Sequence, residues 1–167
     1  FENYLDARLE NEKGEVIHRQ WATLNLSQGY DIDEARRHED PGRKKRPFTP
    51  LSAELTVTPF PDLDLRGEAR WDHYDHLISD ATISLELSLD RSAGRIDTYK
   101  VDYLYNRKED QESLNLWLDM NLTYGFSVGG SLERDMELGE NISNSYWLEY
   151  KRQCWGIKLA MEKEDED

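Results

Sequence analysis

LISDATISLELSLDR, residues 77–91, decides the fold. Its odd positions are Leu77, Ser79, Ala81, Ile83, Leu85, Leu87 and Leu89. The even positions between them are Ile78, Asp80, Thr82, Ser84, Glu86, Ser88 and Asp90. A helix, turning about 100° per residue, would mix these two sets. A strand sends successive side chains to opposite faces and keeps them apart. This segment is a strand with one oily and one polar side.

The same pattern recurs on both sides of it. Upstream, Leu51, Ala53, Leu55 and Val57 alternate with Ser52, Glu54, Thr56 and Thr58. Downstream, Leu114, Leu116, Leu118, Met120, Leu122 and Tyr124 alternate with Asn115, Trp117, Asp119, Asn121 and Thr123, and Trp155, Ile157, Leu159 and Met161 with Gly156, Lys158, Ala160 and Glu162. Strands are expected over 2–10, 16–30, 51–59, 63–74, 79–91, 96–106, 113–125, 127–137, 143–152 and 154–163, with no helix. Turn residues separate them, as in Asn11-Glu12-Lys13-Gly14, Pro59-Phe60-Pro61-Asp62, Ser92-Ala93-Gly94-Arg95 and Gly139-Glu140-Asn141. The connections fall into two alternating sets, one short (11–15, 60–62, 92–95, about 126, about 153) and one longer (31–50, 75–78, 107–112, 138–142). The fold expected is all-β: an antiparallel up-and-down meander of about ten strands, 1–167 forming one region.

The chain has 167 residues, 21 Lys and Arg against 35 Asp and Glu, and a net charge of −14. That charge repels a phosphate backbone, so nucleic acid is not an expected partner. A mean hydropathy of −0.88 hints at disorder. Five Trp and nine Tyr argue against it, because disordered chains are poor in aromatics. A polar average also results when every second residue of a strand sits on a polar face. No run approaches the ~18 apolar residues of a membrane-crossing helix, which leaves barrels open. The sequence starts at Phe1 without a leader and is read as a mature or internal piece.

Alternation alone fits a soluble β-sandwich or jelly-roll binding module, whose apolar faces pack on each other. Three features favour a membrane barrel. Several strands run past the usual five or six residues to the roughly 9–11 of a tilted crossing. Aromatics on the apolar side gather near strand ends: Phe60, Tyr124, Phe126, Tyr150 and Trp155 at the short-turn end, Tyr30, Trp71 and Tyr105 at the other. Such rings mark the two interfaces of a barrel. The polar side mixes charges, as in Asp64, Arg66, Glu68, Arg70 and Asp72, which suits a wet interior. Arg91, Arg107 and Arg134 interrupt the apolar side near strand ends, where long side chains snorkel. By this reading Leu55, Val57, Leu65, Ile83, Leu85, Leu87, Leu116, Leu118, Met120, Leu122, Ile157 and Leu159 face lipid. Glu54, Arg66, Glu68, Arg70, Glu86, Asp119, Glu133, Glu149 and Lys158 face the lumen. Short turns are assigned to the periplasm. A second layer stacked over Leu85, Leu116 and Leu159 would speak for the sandwich instead, and a generic porin or adhesin barrel is a further alternative.

Several segments resemble the C-terminal barrel of the LptD family of lipopolysaccharide-assembly outer-membrane proteins. They are Gln28-Gly29-Tyr30-Asp31-Ile32, Arg46-Pro47-Phe48-Thr49-Pro50-Leu51 leading into Ala53-Glu54-Leu55, Ala69-Arg70-Trp71-Asp72-His73-Tyr74, and Tyr150 followed by Gln153-Cys154-Trp155. The resemblance implies a share of a barrel of ~26 strands in the Gram-negative outer membrane. It implies insertion of lipopolysaccharide into the outer leaflet without covalent chemistry, and neither enzyme activity nor a cofactor. The implied partners are lipopolysaccharide, outer-membrane lipids, an LptE-type plug lipoprotein, and an LptA-type periplasmic bridge reached through an N-terminal domain outside this sequence. Ten strands of so large a barrel are expected to form an open curved sheet. Family members often carry adjacent cysteines near the C-terminus that bond to the N-terminal domain. Here Gln153 takes the neighbouring position, so Cys154, the single cysteine, is a candidate for one such interdomain disulfide.

Three other clusters carry less. Asp72-His73-Tyr74-Asp75-His76 holds a His-x-x-His, but a strand ending near 74 sends His73 to the apolar side and leaves His76 in a loop, so no metal site is expected. Arg43-Lys44-Lys45-Arg46 is either solvated or a contact for lipopolysaccharide phosphates. The terminal Glu162-Lys163-Glu164-Asp165-Glu166-Asp167 reads as a solvated tail.

Overall fold

The computed structural model describes residues 2–10, 16–38, 44–91 and 94–164. Ten strands follow in chain order: β1 (Glu2–Glu10), β2 (Val16–Ser27), β3 (Leu51–Phe60), β4 (Leu63–Asp72), β5 (Leu77–Arg91), β6 (Arg95–Asn106), β7 (Gln111–Asn121), β8 (Phe126–Asp135), β9 (Asn141–Lys151) and β10 (Gly156–Glu164). Every strand pairs antiparallel with its sequence neighbours, in the order β1 to β10, and β1 and β10 are the two edges. The meander is open.

Register carries the alternation across the whole sheet. One row of cross-strand partners runs Ala22, Val57, Leu65, Leu85, Val101, Leu116, Leu132. The adjacent row on the opposite face runs Thr23, Thr56, Arg66, Ser84, Asp102, Asn115, Glu133, Ser143. Slipping any pair by one residue would put leucines among carboxylates, so the pattern itself fixes the pairing.

No hydrophobic side chain among the described residues is buried. Leu116 keeps 37% of its surface and Leu159 keeps 65%. The sheet is therefore one layer, and nothing in the described chain stacks over the apolar face as a sandwich requires.

The structure corrects the expected pattern in four places. Residues 79 and 77 do not continue the odd series of β5, because Arg70 pairs with Asp80 and Trp71 with Ile78. The bulge at Ser79 turns Ile78, not Leu77, onto the apolar face beside Trp71. A one-turn helix, α1 (Ile32–Arg36), was not expected; it is too short for periodicity to betray, and Asp31 caps it by accepting from the Glu34 N–H at 2.9 Å. β7 stops at Asn121, and Thr123–Gly125 makes a 3-10 turn in which Tyr124 has φ 63°. Tyr124 is thus a turn residue, not the end of a strand. Finally, only 28–50 is long. The connections 73–76, 107–110 and 136–140 hardly exceed 61–62, 122–125 and 152–155 at the other end. The turn at 11–15 and the end of the acidic tail lie outside the described residues.

Candidate functional site

The polar face is built from facing pairs. Lys100 Nζ meets Glu86 Oε2 at 3.0 Å, and Arg70 meets Asp80 at 3.5 Å, both between cross-strand partners. Asn25 donates to Glu54 (3.4 Å) and the Thr58 hydroxyl donates to Asp64 (2.9 Å). Each pair sits half in water, where it sets register more than it adds stability. All nine residues expected to face a lumen (Glu54, Arg66, Glu68, Arg70, Glu86, Asp119, Glu133, Glu149, Lys158) share this one face by register.

Two tryptophans interrupt the polar face. Trp117 and Trp147 stand 5.8 Å apart between ring centroids, on β7 and β9. Between them lies Gly129 of β8, buried; a Cβ there would collide with the Trp147 indole and with the Leu118 carbonyl oxygen. The missing side chain is what lets Trp147 lean across β8. Lys100 lies 5.7 Å from the Trp117 ring and Lys158 5.3 Å from the Trp147 ring, cations over electron-rich faces.

On the other face, Leu55, Val57, Leu65, Ile83, Leu85, Leu87, Leu116, Leu118, Met120, Ile157 and Leu159 fall in the apolar rows. Leu122 lies just past β7, in the turn. This face is less purely apolar than the sequence suggested. Asp97 of β6 is fully buried within it, Arg91 Nε lies 2.6 Å away as an ion pair, and the Asn121 N–H donates to the same carboxylate at 2.8 Å. Glu112 also occupies this register and accepts from the Tyr103 hydroxyl at 2.9 Å. Arg134 turns its guanidinium to the Gly139 carbonyl (3.0 Å). All of these lie near strand ends. Period-two reading listed Arg91, Arg107 and Arg134 and missed Asp97 and Glu112.

The strand ends carry aromatic clusters. At the short-turn end Phe126 packs at a tilt against Tyr150 (ring centroids 4.5 Å apart) and Tyr150 against Trp155 (5.3 Å), while Arg152 donates to the Tyr150 hydroxyl (2.7 Å). Phe60, brought onto the apolar side by a bulge, is 64% exposed there, and Tyr124 projects from its turn. Cys154 is an exposed free thiol in the 152–155 turn.

At the opposite end, three segments far apart in sequence converge. The two ends of the 28–50 connection are joined: Tyr30 bridges Phe48, Asp31 N–H donates to Pro47 O (2.6 Å), and Thr49 N–H to Gly29 O (2.9 Å). Arg46 then reaches the turn after β4, with two hydrogen bonds to the Asp75 carboxylate (2.7 and 2.6 Å), Asp72 at 3.8 Å, and the Tyr74 ring 5.5 Å beneath. The Phe48 N–H donates to the Tyr74 hydroxyl (3.1 Å), and Phe48 and Trp71 both meet the His73 ring, at 5.8 and 6.3 Å. The guanidinium, through its hydrogen bonds, holds the Asp75 carboxyl below the ordinary range, and Asp75 in turn raises Arg46. Arg46 is thus a staple for the fold and not a free basic group. Lys45 donates to Ala35 O (3.4 Å), and Arg43 lies outside the described residues. His73 and His76 both join the ring cluster. Of the remaining aromatics, Tyr30 sits on the bridged excursion, Trp71 on β4, and Tyr105 on β6 opposite Glu112.

The converging segments are those quoted above around Gly29, Arg46 and Trp71, so a scattered set of short matches is one packed structure. A sequence model of the LptD family, described as LPS transport system D, matches residues 7–136. The LPS-assembly protein LptD of Marinobacter nauticus is 24% identical over 119 residues, covering 71% of this chain and 15% of that protein. The chain therefore spans a small part of the relative it matches. With the family match extending over most of its length, the chain belongs to the LptD family.

Proposed function

We propose that this chain forms ten strands of an outer-membrane barrel wall whose protein delivers lipopolysaccharide to the outer leaflet. The observation that carries the reading is a single-layer sheet, oily on one side and charged on the other, with no hydrophobic side chain of the described residues buried. In water such a sheet would leave Leu85, Leu116 and Ile157 wetted; acyl chains cover them without a second layer. The two aromatic clusters then sit at the two interfaces. The charged face lines a hydrated interior, where lipopolysaccharide headgroups pass and an LptE-type plug is seated. The short turns face the periplasm, where Cys154 makes a disulfide to an N-terminal domain through which an LptA-type bridge is reached. No bond in the substrate is made or broken.

Charge scanning of the full-length protein tests this. Leu85→Arg and Leu116→Arg, mid-strand on the apolar side, each cost about 2–4 kcal/mol of membrane stability. Ser84→Arg and Asn115→Arg, one residue away, leave assembly unchanged. Equal tolerance on both sides, or a protein that stays monomeric and folded without detergent, overturns the reading.

A further inference from the structure

We infer that the apolar face holds one anionic phospholipid of the periplasmic leaflet, its head group on Arg91 and an acyl chain in the groove over Gly130. The inference rests on the reading of that face as bilayer-facing. Gly130 of β8 lies in the apolar register, between Leu118 of β7 and Tyr146 of β9. Without a side chain there, the face sinks into a groove of about 500 Å³, walled by Val101, Leu116, Leu118, Val128 and Tyr146. The volume suits a single long acyl chain. Lys100 and Trp117 border the groove too, but the Lys100 ammonium is directed to Glu86 and the Trp117 ring on the opposite face. A flat apolar face gives no acyl chain a reason to stay. A groove surrounds one chain with contacts and so retains it.

Charge selects the kind of lipid. Tyr99 lines the groove, and the next same-face residue of β6 toward the short turns is Asp97. Fully buried, Asp97 accepts from the Asn121 N–H at 2.8 Å and holds Arg91 by its Nε at 2.6 Å. The two terminal nitrogens of Arg91 have no partner among the described residues, on a side chain that is 45% exposed. A guanidinium fixed by one edge offers its other edge to a phosphodiester, whose paired oxygens match the fork. Across the hairpin end Arg91 faces a second cation, Arg95, so by register positive charge exceeds negative here. The Phe126, Tyr150 and Trp155 cluster puts this same end at head-group depth. A cation at the rim beside an oily groove is the layout of one amphiphile, with an anionic head preferred over a zwitterionic one.

The test is native mass spectrometry of the full-length protein, delipidated in detergent and titrated with palmitoyl-oleoyl phosphatidylglycerol or with phosphatidylcholine of the same chains. The parent is expected to retain one phosphatidylglycerol about fivefold more tightly than phosphatidylcholine, the scale of one charge-assisted contact. The Arg91→Gln/Asp97→Asn double variant, which leaves no buried charge unpaired, loses that preference. Val128→Phe fills part of the groove, weakens both lipids alike and keeps the preference. Inorganic phosphate at the same concentration displaces neither lipid. Equal retention of the two lipids by the parent, a preference that survives the double variant, unchanged binding in Val128→Phe, or displacement by phosphate overturns the inference. Failure of the barrel reading is seen separately, as a parent that stays monomeric and folded without detergent, whichever lipid it binds.

Discussion

At the scale of single residues, the structure separates glycines that matter from one that does not. Gly129 lies under Trp147, and a methyl group there meets ring and backbone atoms that cannot both retreat. Gly129→Ala is therefore expected to lower stability by about 1–3 kcal/mol. At Gly67, in mid-β4, an added Cβ meets nothing within 4 Å. Gly67→Ala should be neutral or stabilising by roughly 0.5 kcal/mol. Thermal midpoints of the two full-length variants measure the contrast. Asp75 supplies a pH prediction. Because Arg46 lowers its folded pKa, the attachment of 28–50 to the β4–β5 turn is fully present above the ordinary carboxylate value. It persists somewhat below that value and is lost as pH falls through the depressed one. Arg46→Ala removes it at every pH, so protection of amides in 28–50, relative to their intrinsic exchange rates, should fall and no longer change with acid. Unchanged exchange in that variant would show that the bridge of Tyr30 to Phe48 suffices alone.

At the scale of the element, most strands were legible because period two is a direct imprint of pairing two unlike environments. Leu51–Phe60 and Leu77–Arg91 need no tertiary information. What stayed hidden were local departures from that period. The bulge at Ser79 leaves no mark in composition, since Leu77 and Ile78 are equally oily and either fits the apolar side. Asp97 stayed hidden because a charge on the oily face contradicts the rule used to find that face, and its partners, Arg91 at the end of β5 and the Asn121 N–H at the end of β7, are brought to it only by strand pairing. The Trp117 and Trp147 pairing was invisible for a third reason: both residues stand in polar register, and a glycine on the strand between them joins them. Cysteine labelling checks the bulge in a Cys154→Ser background. Ile78→Cys should resist a charged, membrane-impermeant maleimide, and Leu77→Cys should react with it. The opposite result would restore uninterrupted alternation.

At the scale of the whole molecule, the governing fact is that β1 and β10 end the sheet without meeting. Unpaired strand edges in hydrocarbon cost several kcal/mol for each unsatisfied group, so ten strands alone should not persist in a bilayer. Refolded by itself into detergent, this chain is expected to self-associate through its edges and to show no heat-modifiable migration. A longer chain that supplies the flanking strands should show it. A compact, heat-modifiable monomer from these residues alone would mean that the edges close on each other.

The unequal connections also bear on what a cell displays. At the end opposite Cys154, three of four connections are short, and 28–50 alone is long, its described parts tied down by α1 and by Arg46. If that end is the outward one, an antibody or a phage arriving at this part of the bacterium meets one long segment among short turns. Surface recognition of this sector should then track the sequence of a single segment, whatever happens to the other turns.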